Sequence, residues 1–233
     1  MQKKGFTVRH FIMIPFEDSK FLEDYDNFCN TLKSYNPPNF DEDLLQKISK
    51  LHISVLIFDL HEDQNKINKV CTILKGIQDE IKKLSEGDIT YKFGGYGAFD
   101  SFKSARVIYS KMEEDNSYFK LEKIIHLVIK NLIKEGVISE SELKDLHVTK
   151  EGSDSDPFYK IEMHLTLLNA TFLNKVLKKK KKKPIKTFDA TKINDCIQGV
   201  KLCDCPLKKI DFCVLREDKS TGKYELIQSF DLV

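Results

Sequence analysis

Two apolar runs far apart in the chain, KLHISVLIFDL (50–60) and MHLTLLNATF (163–172), constrain the fold more than any other feature. Each is short, rich in branched residues and bounded by polar ones, so each reads as a buried strand. Each also opens on the same form: His, apolar, hydroxyl, apolar. In the first run this is His52-Ile53-Ser54-Val55, and in the second His164-Leu165-Thr166-Leu167. Side chains alternate across a strand. His52 and Ser54 therefore share one face with Ile53 and Val55 behind them, and His164 and Thr166 share one in the same way. A single histidine in such a strand is ordinarily a satisfied structural residue. Two imidazole–hydroxyl pairs of one form point instead to a common site. An ordinary imidazole titrates near ~6.5, so one ring can be neutral and the other protonated near neutral pH, as paired general base and general acid catalysis requires. Ser54 and Thr166 can donate hydrogen bonds to phosphate oxygens as charge develops on them. That chemistry needs neither a metal nor another cofactor, and none is expected.

The rest of the chain supplies alternating strands and helices. HFIMIPF (10–16) reads as a strand stopped at Pro15. Phe21, Tyr25, Phe28 and Leu32 recur at helical spacing, and SYNPPNF (34–40) reads as a loop. Ile67, Val70, Leu74, Ile77, Ile81 and Leu84 predict one amphipathic helix. DITYKFGGYGAF and SARVIYSKM predict two strands, and residues 116–135 a helix that Gly136 ends. In the second half YKIEMHLTLL reads as a strand and FDATKINDCI (188–197) as a helix capped by Asp189. KKIDFCVLRE and KYELIQSFDL read as antiparallel strands joined by DKSTG. The expectation is a single α+β domain over 1–233 in two similar lobes, with the acidic loop KEGSDSDP (150–157) near their boundary.

Composition excludes some classes. Apolar residues make up 41%, which fits a packed core. A net charge of +2 is too small to imply nucleic-acid binding by itself. Only Arg9, Arg106 and Arg216 are arginines among 38 basic residues, so lysine clusters carry little weight. No apolar run approaches the ~18 residues of a membrane span, and the first 16 residues do not read as a signal peptide. A soluble intracellular protein, nuclear or cytoplasmic, with its six cysteines reduced is the expectation.

The paired motifs resemble those of the 2H phosphoesterases (LigT-like), a family defined by two His-x-Ser/Thr elements. KLHISVLIFDL, ARVIYSKM, MHLTLLNATF and FDATKI together resemble, in the same order, the branch that holds the nuclear-localisation-signal domain of A-kinase anchor protein 7 and the phosphoesterase-like domain of activating signal cointegrator 1 complex subunit 1. The likeness spans nearly the whole chain. The KH module of that cointegrator subunit is not seen ahead of it, which argues against a role in that complex. The resemblance implies a bilobal, pseudo-two-fold fold, with two antiparallel sheets flanking a central groove and helices outside. It implies a phosphodiesterase acting on RNA or oligonucleotides with 2′,5′-linked or 2′,3′-cyclic phosphates, with His52 and His164 catalytic. The alternative is a nucleotide- or RNA-binding scaffold subunit of a transcription-coactivator or repair complex, without turnover. The partner expected is an RNA, oligonucleotide or nucleotide, with no membrane; the chain is expected to be a monomer, and membership of a protein complex stays open.

Other residues weigh less. His147-Val148-Thr149 is a third His-x-Thr, but Lys150, Glu151 and Gly152 follow, so no apolar strand continues from it. His10, His61 and His126 read as structural or solvent-facing. Lys50 and Glu162 lie two residues before the motif histidines; Lys50 is a candidate substrate contact, as is Arg216 at the end of FCVLR. Cys196, Cys203, Cys205 and Cys213 are spaced C-x6-C-x-C-x7-C, which fits no common zinc pattern. LKKKKKKP (177–184) reads as a solvated loop between a strand and a helix, with nuclear localisation or phosphate attraction as functional readings.

Overall fold

A computed structural model describes residues 9–61, 63–85 and 87–232. Strand β1 (His10–Pro15) leads into α1 (Ser19–Tyr35), whose first turn is closed by the Asp18 carboxylate accepting from the Phe21 N–H. After β2 (His52–Phe58) the expected long helix appears as two, α2 (Gln64–Gly76) and α3 (Gln78–Ser85). The apolar stripe continues through both, but the chain turns at Gly76–Ile77, where glycine lowers helix stability. DITYKFGGYGAF also divides, into β3 (Ile89–Tyr91) and β4 (Phe93–Ser101), because β3 pairs elsewhere. Next come β5 (Ser104–Met112) and α4 (Asn116–Lys134), which ends with Gly136 at φ 67° as its position suggested.

The second half departs further from expectation. The expected acidic loop is instead a hairpin, β6 (Thr149–Ser153) with β7 (Asp156–Lys160), turning at Asp154–Ser155, so YKIEMHLTLL breaks into β7 and β8 (His164–Asn169). The run NATF begins α5 (Ala170–Lys179) rather than finishing a strand. Asn169 accepts from the Thr171 N–H at 2.8 Å and caps it. The lysine run therefore starts inside a helix, with Lys178 and Lys179 in its last turn, where cations suit the helix dipole. Helix α6 (Thr191–Ile197) follows, with the Asp189 carboxylate accepting from the Thr191 N–H. Strands β9 (Cys205–Leu207), β10 (Lys209–Glu217) and β11 (Tyr224–Asp231) complete the chain.

The class is α+β with antiparallel sheets, as expected. The two halves form one seven-stranded sheet in the order β11-β10-β1-β2-β8-β5-β4. The motif strands β2 and β8 are neighbours at its centre, joined by the single pair Ile53–Leu165. One face of the sheet carries Ile12, Ile14, Ile53, Leu165, Ile108 and Phe212, which pack with the buried faces of the helices in one core. The other face carries a small separate apolar cluster of Phe11, Met13 and Cys213 against Tyr224. The motif side chains stand on that second, open face.

Candidate active site

Alternation buries Ile53 and Leu165 completely and leaves His52, Ser54, His164 and Thr166 half-buried on the open face. The antiparallel register through Ile53–Leu165, continued one residue each way, sets His52 opposite Thr166 and Ser54 opposite His164. The two imidazoles then lie on a diagonal, with a hydroxyl opposite each.

Both rings are held in the same way. His52 Nδ1 lies 2.8 Å from the Lys50 carbonyl oxygen, and His164 Nδ1 lies 2.8 Å from that of Glu162. A carbonyl only accepts, so each Nδ1 carries the proton in the neutral ring and each Nε2 keeps its lone pair. His52 Nε2 accepts from the Ser54 hydroxyl at 2.9 Å. Two aromatic rings hold each imidazole edge-on. For His52 they are Phe11 and Tyr224, both with centroids at 5.5 Å, and for His164 they are Phe99 at 4.9 Å and Tyr109 at 5.3 Å.

This packing shifts the expected titration. Burial, partly offset by the Lys50 carbonyl and reinforced by the nearby His164, lowers the His52 pKa to about 4. Burial also lowers His164, opposed by its bond to the Glu162 carbonyl and by the Glu162 charge. In the free protein at neutral pH both rings are neutral, rather than one charged and one neutral.

Of the weaker candidates, Lys50 borders the motif. Its Nζ lies 2.5 Å from Glu217 and 5.0 Å from the centre of the Tyr224 ring that touches His52. Glu217 also takes Lys47 at 2.9 Å, and these lysines hold its carboxyl down at about 2. Arg216 is exposed and engages Glu225 through Nε at 2.8 Å and Nη2 at 2.6 Å; its neighbour Glu217 is the residue that reaches Lys50. His147 is exposed in a turn at φ 57° before β6. His10 is buried near Phe212, and His126 accepts from the Tyr159 N–H and stacks on Phe158. Cys213 is buried, Cys196 is partly buried, and the cysteines are unpaired. Among the described residues no group of three or more His, Cys, Asp or Glu is placed to hold a metal ion, and no helix is long and apolar enough to cross a membrane.

Sequence reasoning missed the four aromatic residues, Glu217, and Lys111, which the register sets beside His164. Their signal is tertiary: Phe11, Phe99, Tyr109 and Tyr224 come from four strands. Gly97 betrays one of them. It pairs with Tyr109, and a Cβ there would sit 2.6 Å from the phenol ring. The same phenol donates to Glu162 at 3.0 Å and packs on His164. Gly97→Ala is expected to displace Tyr109 and with it the His164 ring on which Tyr109 packs, moving the ring signals of His164 in NMR spectra. The melting temperature should fall by only the few degrees of a mild overpacking. Paired melting curves and NMR spectra check this, and unmoved His164 signals refute it.

The sequence matches the model of the AKAP7 2'5' RNA ligase-like domain over residues 8–232. The chain belongs to that family. Solved structures with the same fold include Escherichia coli LigT complexed with 3'-AMP (TM-score 0.58, 12% identity, 98% of this chain and 99% of that one). TT0787 of Thermus thermophilus is similar at TM-score 0.57 and 12% identity, over 96% of this chain and 97% of that one. LigT complexed with ATP gives 0.53 at 10% identity, over 98% and 99% of the two chains. No curated protein sequence matches the chain. The AKAP7 2'5' RNA ligase-like domain thus has here the fold of the LigT-like 2H phosphoesterase superfamily, with both His-x-Ser/Thr elements on one sheet face.

Proposed function

We propose that this protein is a phosphodiesterase of the 2H type, acting on RNA or oligonucleotides with 2′,5′-linked or 2′,3′-cyclic phosphates through paired-histidine general acid–base catalysis. The observation that carries the reading is the matched pair of imidazoles. Each is locked by a backbone carbonyl so that Nε2 is the working nitrogen, and each has a hydroxyl beside it on one face. Such an arrangement supplies a proton acceptor, a proton donor and two hydrogen-bond donors for phosphate oxygens. LigT, which shares the fold, is described in complexes with ATP and with 3'-AMP, and a nucleotide ligand suits the same face here.

For a 2′,5′ link, His52 Nε2 takes the proton of the neighbouring 3′-hydroxyl as that oxygen attacks phosphorus. The bond to the 5′-oxygen breaks, and His164 Nε2–H gives that oxygen its proton, leaving a 2′,3′-cyclic phosphate and a free 5′-hydroxyl. For a cyclic phosphate, water replaces the attacking hydroxyl and a ribose oxygen leaves. His52 suits the base because burial lowers its pKa to about 4, and His164 suits the acid because the burial that lowers its pKa is opposed by the Glu162 carbonyl and charge. Ser54 and Thr166 bind non-bridging oxygens, Ser54 first releasing His52. Lys50 at the edge of the site must first release Glu217, and Arg216 must first release Glu225.

The decisive experiment incubates the protein with 2′,5′-oligoadenylate, 2′,3′-cyclic nucleotides and 3′-tailed RNA in the presence of EDTA. Turnover of at least one substrate, with EDTA without effect, is expected. Nucleotide binding with the whole panel left intact would establish the scaffold function instead.

A further inference from the structure

Beyond the Tyr224 ring that holds His52 lies a group of charges that the proposed reaction leaves largely unused. Lys50 Nζ stands 5.0 Å from the centre of that ring, and the His52 ring 5.5 Å from it. Glu217, at the end of β10, pairs with Tyr224 in the sheet register. Its carboxylate accepts from Lys50 through Oε2 at 2.5 Å and from Lys47 through both oxygens, at 2.9 and 3.1 Å. A third lysine, Lys175, comes from α5, the helix that starts just past the second motif. Its Nζ stands over the Phe172 ring at 5.7 Å. Partial burial and then the Lys50 charge lower its pKa, with Glu217 opposing and Lys47 adding to the fall, so its ammonium group senses the other three.

Lysine is abundant in this chain, so number alone means little. What matters is how these side chains are held. Lys50 belongs to the short 3-10 turn before β2, and its side chain is only 11% exposed, although lysine ordinarily stays in water. The carbonyl of the same residue holds His52 Nδ1, which fixes its backbone against the first motif. Three ammonium groups from separate elements thus share one carboxylate, and positive charge is left in excess. Glu217 shows what this group accepts. Like a carboxylate, a phosphodiester has two oxygens that share one negative charge, and lysine binds such oxygens as a point charge. Exposed ion pairs contribute little to stability, so releasing Glu217 costs little.

We infer that Lys47, Lys50 and Lys175 form a second phosphate site, which takes the phosphodiester next to the one at the histidines, and that Glu217 competes for it. The inference rests on the phosphodiesterase reading and extends it to substrate length: the substrates are oligonucleotides with at least two phosphates. Only the Tyr224 ring stands between Lys50 and His52, so a strand whose reacting phosphate is at His52 passes Lys50 with the next one.

The test is a calorimetric titration of the full chain with thymidine 3′-phosphate and with the 3′-phosphorylated thymidine dinucleotide. These DNA probes lack the 2′-hydroxyl and so have no attacking oxygen. Going from one phosphate to two should tighten binding about tenfold, the worth of one hydrogen bond to a charged group. Lys47→Ala and Lys175→Ala should each remove most of that step. The double variant should also flatten the salt dependence of the dinucleotide by about 0.7 in the slope of log K against log salt, as loss of one phosphate contact on a single strand does. Glu217→Gln should enlarge the step. A control variant, Lys182→Ala with Lys183→Ala in the exposed run, should keep the wild-type step. Melting curves confirm that each variant is folded. A wild type that binds both probes alike overturns the second site. So does an equal loss in the control, which would make the step a matter of overall charge. In either case, thymidine 3′-phosphate binding that falls in His52→Ala leaves the phosphodiesterase site standing. If neither probe binds, both readings fail together.

Discussion

Replacing His52 or His164 with alanine is expected to lower kcat/KM by about 10²–10⁴-fold, the usual contribution of a positioned general acid or base. Each ring is only half-buried, so far-ultraviolet circular dichroism should be unchanged. The two losses should not add. Once either proton transfer is gone the other histidine has little left to assist, and the double variant should resemble the worse single one. The pH profile carries the sharper test. The base must be neutral and the acid protonated, so the rate falls on the acid side as His52 is protonated, around its pKa of about 4. It falls on the alkaline side as His164 loses its proton, below the ordinary imidazole range because burial lowers it. The maximum of kcat/KM therefore lies on the acid side of neutrality, with limbs that belong to the coupled pair. Bound phosphate favours the charged imidazole, so the alkaline limb of kcat should lie at higher pH than that of kcat/KM. His164→Ala should abolish the alkaline limb, and His52→Ala the acid one. Wild-type rates in either variant would defeat the mechanism.

Removing the hydroxyls should produce the next largest effect. Thr166→Val preserves shape and deletes only the donor, and Ser54→Ala deletes the donor beside His164 in the extended register. A donor aimed at charge that develops in the transition state is worth about 10²–10³ in kcat. Because the charge grows during reaction, kcat should fall far more than KM rises. A merely structural role predicts the reverse, with a lowered melting temperature and no selective loss of kcat. Steady-state kinetics and melting curves on both variants distinguish the two, and an unchanged kcat removes that hydroxyl from the site.

The elements that were legible from sequence are those whose pattern is local. The stripe Phe21, Tyr25, Phe28 and Leu32 is a helix, and HISVLIF is a strand, because each pattern records one buried face. The errors lie where a partner decides. Nothing local separates Tyr91 from Phe93, yet one belongs to a strand paired with β9 and the other to a strand paired with β5. The hairpin over residues 149–160 is polar and mostly exposed, so it carries no alternation to read. Helix α5 did have a signal, an asparagine cap before Ala170 and Leu173, but it was masked by the apolar run ahead of it.

Strand alternation, a property of the backbone alone, determined from sequence that His52 goes with Ser54 and His164 with Thr166, each backed by buried aliphatic side chains. The pairing of Ile53 with Leu165, which brings the two motifs onto one face, was decided only by the tertiary structure. So were the aromatic rings around each imidazole and the lysine group beyond Tyr224. These arise from strand order and register, which depend on how distant segments share a common core, and no short stretch of sequence records that.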